Sequence, residues 1–361
     1  MKTDDCGFSY PQVDDERCVR CGLCQKLCPE NRELGGAGSV VRCFYAVSAD
    51  SEDVRNSSSG GIFPAMAKIF LEQNGAVARA AFDDDFNVVL KIIENIRELP
   101  QLMGAKYVQA AVPQGFYQAA EQILAADRPL LFTGTPCHIA AFRSFLNGRV
   151  YRKLICAEVI CHGVPSPAVW QSYLDTVKNK LSALPERVNF RDKSSGWHDY
   201  RLVVSSGDKF FSESHHKSPY SRLFVKNVSL RKSCFDCQFK GGSSGADLSM
   251  GDFWKLRKIM PELDNHTGAS MVIVLTPAGE ELLKKLKLSE LREFPSDVIE
   301  KSNRAFYVSA VNSEPRSVFF AEFCKHGCRW FDVSEFIEKK TFLRKLKSFL
   351  LRVFSLKKFC F

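Results

Sequence analysis

Between residues 40 and 181 two hydrophobic rhythms alternate along the chain. Runs rich in β-branched and aromatic residues, VVRCFYAV (40–47), AVARAAF (76–82), VVLKII (88–93), PLLF (129–132) and LICAEVI (154–160), have the length and continuity of buried strands. Between them, apolar residues recur at three- and four-residue spacing over 62–73, 115–126, 137–146 and 167–181, which predicts helices with one buried face. The alternation predicts an α/β (mixed α+β) fold, a mixed sheet flanked by helices. After Pro185 the rhythm loosens into short strands near 187–190, 200–205 and 208–212. A cysteine-bearing loop follows, then MVIVLT (271–276) and a helix. The chain is therefore expected to divide into a polar segment 1–34 ending at a Gly35–Gly38 linker, an α/β unit 40–185, an α+β subdomain 186–310 and a tail 335–361.

Composition changes this picture in one place. The 361 residues are 45% hydrophobic and 25% charged, as in folded chains, but the net charge is +9. Eight of the basic residues lie in 339–361, which has no acid, leaving 42 bases against 41 acids elsewhere. A neutral body with its charge confined to a tail excludes a nucleic-acid binder. The opening MKTDDCGFSYP is acidic where a signal peptide would be basic and then apolar. No apolar run approaches the roughly 18 residues of a membrane span. A cytoplasmic location is expected. There, fourteen cysteines read as metal ligands or redox groups rather than disulfides.

Cys18, Cys21, Cys24 and Cys28, followed by Pro29, have the spacing C-x2-C-x2-C-x3-C-P of a bacterial-ferredoxin-type 4Fe-4S motif. Three thiolates wrap one cube and the fourth serves a neighbouring one. A two-cluster module needs a second such run, which this sequence lacks. The acidic segment before Cys18 reads like the hairpin that joins two ferredoxin halves, so the first half is expected to be missing. Cys6 or Cys43 would then complete the cube, or Cys28 would fold back onto it. A second set is dispersed: Cys137 at a helix start, Cys161 at a strand end, and Cys234 with Cys237 as C-x2-C. It has three readings: a further cube, a zinc knuckle completed by His138 or His162, or unrelated buried thiols. The helix start is expected to favour the Cys137 thiolate. Cys156, Cys324, Cys328 and Cys360 are assigned to packing, and His215 with His216 to a polar surface loop.

The turn Ser57–Gly61 runs directly into a helix. Its residues Ser58, Ser59, Gly60 and Gly61 make either a phosphate receptor or a plain turn and cap. Lys106 in GAKYVQ, and Arg191 and Lys193 in NFRDKSSGW, place cations near aromatics, either for an anionic cofactor with a flat ring or as solvated turns. The acids of ADLSMGDFW, Asp247 and Asp252, either orient ring nitrogens or bond the loop backbone.

In this order, the 4Fe-4S motif, SSSGGIF, GAKYVQ, LFTGTPCHIAAF, CHGVPSP, NFRDKSSGW and SCFDCQFK with DLSMGDFW span residues 10 to 285. They resemble the beta subunits of coenzyme F-420 (deazaflavin) hydrogenases and dehydrogenases, in particular a bacterial branch associated with polysaccharide gene clusters. The resemblance implies one or two 4Fe-4S clusters and FAD. Electrons would come from a donor protein or partner subunit, and a hydride would pass to an organic acceptor, the deazaflavin coenzyme in archaeal relatives. It also favours a second cube at Cys137, Cys161, Cys234 and Cys237, and a flavin-phosphate contact at Ser58–Gly61. Proton delivery is assigned, as candidates only, to His162 and Lys193.

In the tail, Leu346, Phe349, Leu350, Val353 and Phe354 recur at helical spacing among basic residues. Residues 339–361 are expected either to lie on an anionic membrane surface or to dock as a helix on protein. The rival to an oxidoreductase is a non-catalytic, metal-stabilised adaptor recruited to the membrane in a glycan-assembly system.

Overall fold

The computed structural model describes residues 1–31, 42–331 and 333, so the Gly35–Gly38 linker and the tail fall outside the described residues. A small hairpin, β1 (Lys2–Thr3) and β2 (Ser9–Tyr10), precedes the cysteine loop with its one-turn helix α1 (Leu23–Lys26). The body follows as β3 (Arg42–Ser48), α2 (Ser51–Asn56), α3 (Ile62–Glu72), β4 (Ala76–Phe82), β5 (Val88–Ile93), α4 (Leu99–Leu102), α5 (Phe116–Ala125), β6 (Leu130–Gly134), α6 (Pro136–Leu146), β7 (Leu154–Val159) and α7 (Pro167–Leu181). Then come β8 (Arg187–Asp192), β9 (Arg201–Ser206), β10 (Lys209–Ser214), α8 (Pro219–Val225), β11 (Leu248–Asp252), α9 (Leu256–Ile259), β12 (Ser270–Val274), α10 (Pro277–Lys285), β13 (Leu288–Phe294), α11 (Asp297–Asn303) and α12 (Pro315–Lys325).

Eight strands form one mixed sheet in the order β13-β3-β12-β11-β7-β6-β4-β5, with β4, β6, β7 and β11 parallel to one another. Both faces are covered, which is why its central strands read as unbroken apolar runs. In β3, Cys43, Tyr45 and Val47 enter one core while Phe44 and Ala46 enter the other; β6 divides Leu130 and Phe132 from Leu131 in the same way. α3 covers one face with Ile62, Phe63, Met66, Ala67 and Phe70. α7, with Ser166 as its N-cap and Pro167 at its first turn, packs Trp170, Tyr173, Leu174 and Val177 into the other core.

Beyond residue 185 the chain contributes strands to two different sheets. β8, β9 and β10 form their own three-stranded antiparallel sheet, in order β10-β9-β8, with Phe190 against Trp170 of α7. The later strands return to the main sheet: β11 pairs with β7 and β12, and β12 and β13 both pair with β3. An apolar strand needs both faces covered, but its local pattern does not say which sheet supplies the cover. The stretch DLSMGDFW, read as an acid-bearing loop, contains β11 for the same reason. The parallel strands β6, β7 and β11 end together, and ligand sites of open α/β sheets collect at such carboxyl ends.

Candidate functional site

The N-terminal hairpin is fastened to the body before the cysteine loop begins. Asp4 accepts the amides of Cys6 (3.1 Å) and Phe8 (2.8 Å), and Phe8 is fully buried against Phe320 of α12. Cys18, Cys21 and Cys24 are exposed and Cys28 half-buried. Arg20 and Gly22 hold left-handed backbone (φ 55° and 69°), which tightens the loop enough for the Arg20 amide to donate to Cys18 Sγ at 3.4 Å. Amide donors to sulfur are one means by which proteins set iron–sulfur potentials. Of the two outside candidates for a fourth ligand, Cys6 lies near Cys324 of α12, and Cys43 is buried in β3 opposite Ile273 and Phe294.

The dispersed cysteines converge. Cys137 stands in the first turn of α6, its Sγ 3.1 Å from Thr135 Oγ1; Cys161 lies just past β7; Cys234 lies in a 3-10 turn and Cys237 directly follows it. Each of the four thiols is held up by burial first. Cys137, Cys161 and Cys234 are held up further by other cysteines of the set. Burial pushes Cys137 up to about 11, outweighing the helix start and the Thr135 hydroxyl expected to favour its thiolate. Cys137 nonetheless keeps solvent access while densely surrounded by protein, as at the wall of a recess. Gly163 (φ 147°) lets the C-x2-C loop close in, since a Cβ there would stand 2.8 Å from Leu230 and 3.3 Å from Cys234 Cβ. Lys240 Nζ ties the set down by donating to the carbonyls of Cys161 and Ala305, and the Cys237 amide donates to Ser309 Oγ at 3.0 Å.

The two cysteine sets adjoin. Ser144 of α6 donates to the Leu27 carbonyl at 2.6 Å, and Glu30 bears electrostatically on Cys237. Cys156 is a buried packing thiol, as expected, but Cys324 and Cys328 are exposed near the end of α12 and are not packing residues.

A cavity of about 890 Å³, within the size range of cofactor pockets, opens at the strand ends. Ser58, Ser59, Gly61, Lys106, Cys161 and His162 line it. The turn before α3 is anchored to β12, with Gly60 N–H donating to Ser270 Oγ (2.9 Å) and Ser59 Oγ to the Ala269 carbonyl. A Cβ on Gly60 would meet the Ala46 carbonyl at 2.6 Å. α3 starts at Gly61 (φ 80°) with no side chain capping it.

Arg191 and Lys193, read either as facing an anionic cofactor or as part of a solvated turn, brace this turn. Buried Arg191 grips Asp252 with two bonds (3.0 and 3.1 Å) and the Ser58 carbonyl with a third. Lys193 Nζ donates to the carbonyls of Val54 and Ser59, and burial lowers it to about 8. Asp247 likewise bonds structure, taking Arg143, the Cys156 amide and Thr276. His162 donates from Nε2 to Asn227 Oδ1 at 2.6 Å, and burial shifts it towards the neutral form; burial lowers His138 to about 4.

Three lining residues escaped the sequence reading or were misplaced by it. His215 and His216, read as surface, line the cavity, with His215 stacked on Tyr200 at 4.0 Å. Arg79, unremarked in AVARAAF, reaches it from β4; a lone arginine inside an apolar strand was the available signal. His198, Asp264 and His266 also gather, but Asp264 is already taken by His198 (3.0 Å), Arg257 (2.9 Å) and the His266 amide.

Residues 11–31 match the family described as 4Fe-4S binding domain, and residues 127–296 match the family of the C-terminal region of the coenzyme F420 hydrogenase/dehydrogenase beta chain. Together the two matches support an iron–sulfur redox function. No curated protein matches the chain. Among solved structures, the chain is similar to one in the xenon-derivatised F420-reducing NiFe hydrogenase complex from Methanosarcina barkeri. The identity is 16%, covering 74% of this chain and 86% of that one, with a TM-score of 0.49. No helix among the described residues is long and apolar enough to cross a membrane. Behind a 4Fe-4S binding domain, residues 127–296 of this chain thus match the C-terminal region of coenzyme F420 hydrogenase/dehydrogenase beta subunits.

Proposed function

We propose that this chain is an iron–sulfur flavoprotein that carries electrons between a donor protein or partner subunit and an organic acceptor. The observation that carries the reading is a continuous line of contact. The Cys18–Cys28 loop touches α6 through Leu27 and Ser144, α6 presents Cys137 to Cys161, Cys234 and Cys237, and Cys161 opens into the cavity.

The residues fit the groups this reading needs. Eight cysteines in two sets suit two 4Fe-4S clusters. An uncapped helix start in a cavity of cofactor size suits a phosphate-bearing flavin such as FAD. When bound, these groups supply single-electron exchange among themselves and hydride exchange with the acceptor.

The chain's own part is to hold them close and to manage protons. Thr135 positions Cys137, and Lys240 holds the backbone at Cys161. With Nε2–H given to Asn227, His162 has Nδ1 to take up or release a proton at the cavity wall. Lys193 is committed to two carbonyls, which favours His162 over it in that role.

The test is a spectrum of the anaerobically purified protein with iron, sulfide and flavin quantified on the same sample. The reading expects about eight irons per chain and flavin bands, with cluster absorption that bleaches on reduction. About four irons with flavin would limit it to one cluster. A colourless zinc protein without flavin would overturn it in favour of the adaptor.

A further inference from the structure

Arg79 and Lys106 lie in the cavity wall as a pair of cations without an anion. The Arg79 guanidinium stacks 3.8 Å from the ring centre of Phe63, in the first turn of α3, and its Nη1 is buried with no hydrogen-bond partner. Lys106 Nζ donates to the Met103 carbonyl at 2.9 Å and lies 5.7 Å from the ring centre of Phe82. Among the described residues neither forms an ion pair, and Arg79 adds to the burial that lowers Lys106 to about 7. Every other cation discussed at this site is committed: Arg191 to Asp252, and Lys193 and Lys240 to carbonyls. Two neighbouring, partly buried like charges without a counter-ion are costly to the free protein. The uncapped start of α3 adds a third positive end at the same wall.

We propose that Arg79, Lys106 and the start of α3 form a receptor for a phosphoryl group carried by the cavity's ligand. Two cations and a helix start match the two negative charges of a phosphate monoester or of a pyrophosphate bridge, whereas a single carboxylate would leave one cation unpaired. The bound anion keeps Lys106 protonated and gives Arg79 Nη1 its missing acceptor. The inference names the ligand group at the proposed flavin cavity and rests on that cavity being the cofactor site.

The full chain, with its iron–sulfur content reconstituted, is titrated with riboflavin, FMN, FAD and inorganic pyrophosphate. FMN and FAD should bind at least about tenfold more tightly than riboflavin. Arg79→Met should erase that advantage while leaving riboflavin unchanged, Arg79→Lys should keep part of it, and Lys106→Met should repeat the loss from the other cation. An FAD-to-riboflavin ratio unchanged in both methionine variants would overturn the proposal and leave the flavin reading standing. If no flavin binds, that reading fails and pyrophosphate decides: wild-type binding lost in Arg79→Met supports the receptor, and no binding overturns it. Without ligand, Arg79→Met should melt no lower than wild type because it removes an unpaired charge. A lower melting point would assign Arg79 to packing and overturn the proposal.

Discussion

Cys18, Cys21 and Cys24 stand exposed on a loop whose turns are local, with left-handed backbone at Arg20 and Gly22 and no buried residue in α1. Cys137, Cys161, Cys234 and Cys237 come from three separate parts of the chain into a recess where burial dominates their acidity. A ligand set spaced within one loop needs little from the rest of the fold. One assembled from distant segments exists only while the sheet, α6 and the C-x2-C loop are in register. The first is built for access, the second for protection, and the two should respond differently to the same perturbation.

The largest difference is expected from removing one thiol of each set. With the proposed second cluster in the recess, Cys237→Ser should cost about four irons and lower the melting temperature, because the recess would lose its ligand and keep its buried thiols. Cys21→Ser should cost about as much iron with little change in melting, since nothing in α1 is buried. Iron analysis beside calorimetry checks both, and equal melting losses would break the contrast.

Next in size is Glu158, buried on β7 beside the recess, accepting from Ser244 and pushed up to about 7 by burial. A carboxyl whose pKa is higher folded than unfolded withdraws stability as pH rises from its unfolded value, near 4.5, through 7. The loss is complete above that, at about 3 kcal/mol. Glu158→Gln should therefore raise the melting temperature at pH 8 and leave it nearly unchanged at pH 4. A gain independent of pH would contradict this.

The smallest effect sharpens the junction between the regions. Ser144→Ala removes the bond to the Leu27 carbonyl and should cost about 1 kcal/mol in denaturant unfolding. Cluster content should remain, but amide exchange in residues 23–28 should quicken. Unchanged exchange there would show that the loop is held by other contacts.

Much of the main sheet was legible in the residue pattern. The strands at 76–82, 88–93 and 154–159, and helices α3, α6 and α7, follow from apolar runs and periodic faces, because burial on both sides of a sheet leaves a strong local signature. β11 and β13 were not legible. The first hid in a stretch whose acids drew attention to chemistry, and the second, Leu288–Phe294, is an edge strand whose alternating polar residues look like a loop.

By itself, the sequence determined the spacing of the Cys18–Cys28 set, the helix start after Gly61 and the absence of excess charge outside the tail. These are short-range or additive properties, settled by neighbours in the chain. Only the tertiary structure decided which cations remain available. Arg191 and Arg79 look alike in sequence, each a basic residue among strand formers. The fold brings Asp252 to Arg191 from 61 residues away and brings no acid to Arg79 among the described residues. Whether a buried charge holds the protein together or waits for a ligand depends on a partner's position in space, which no local pattern encodes.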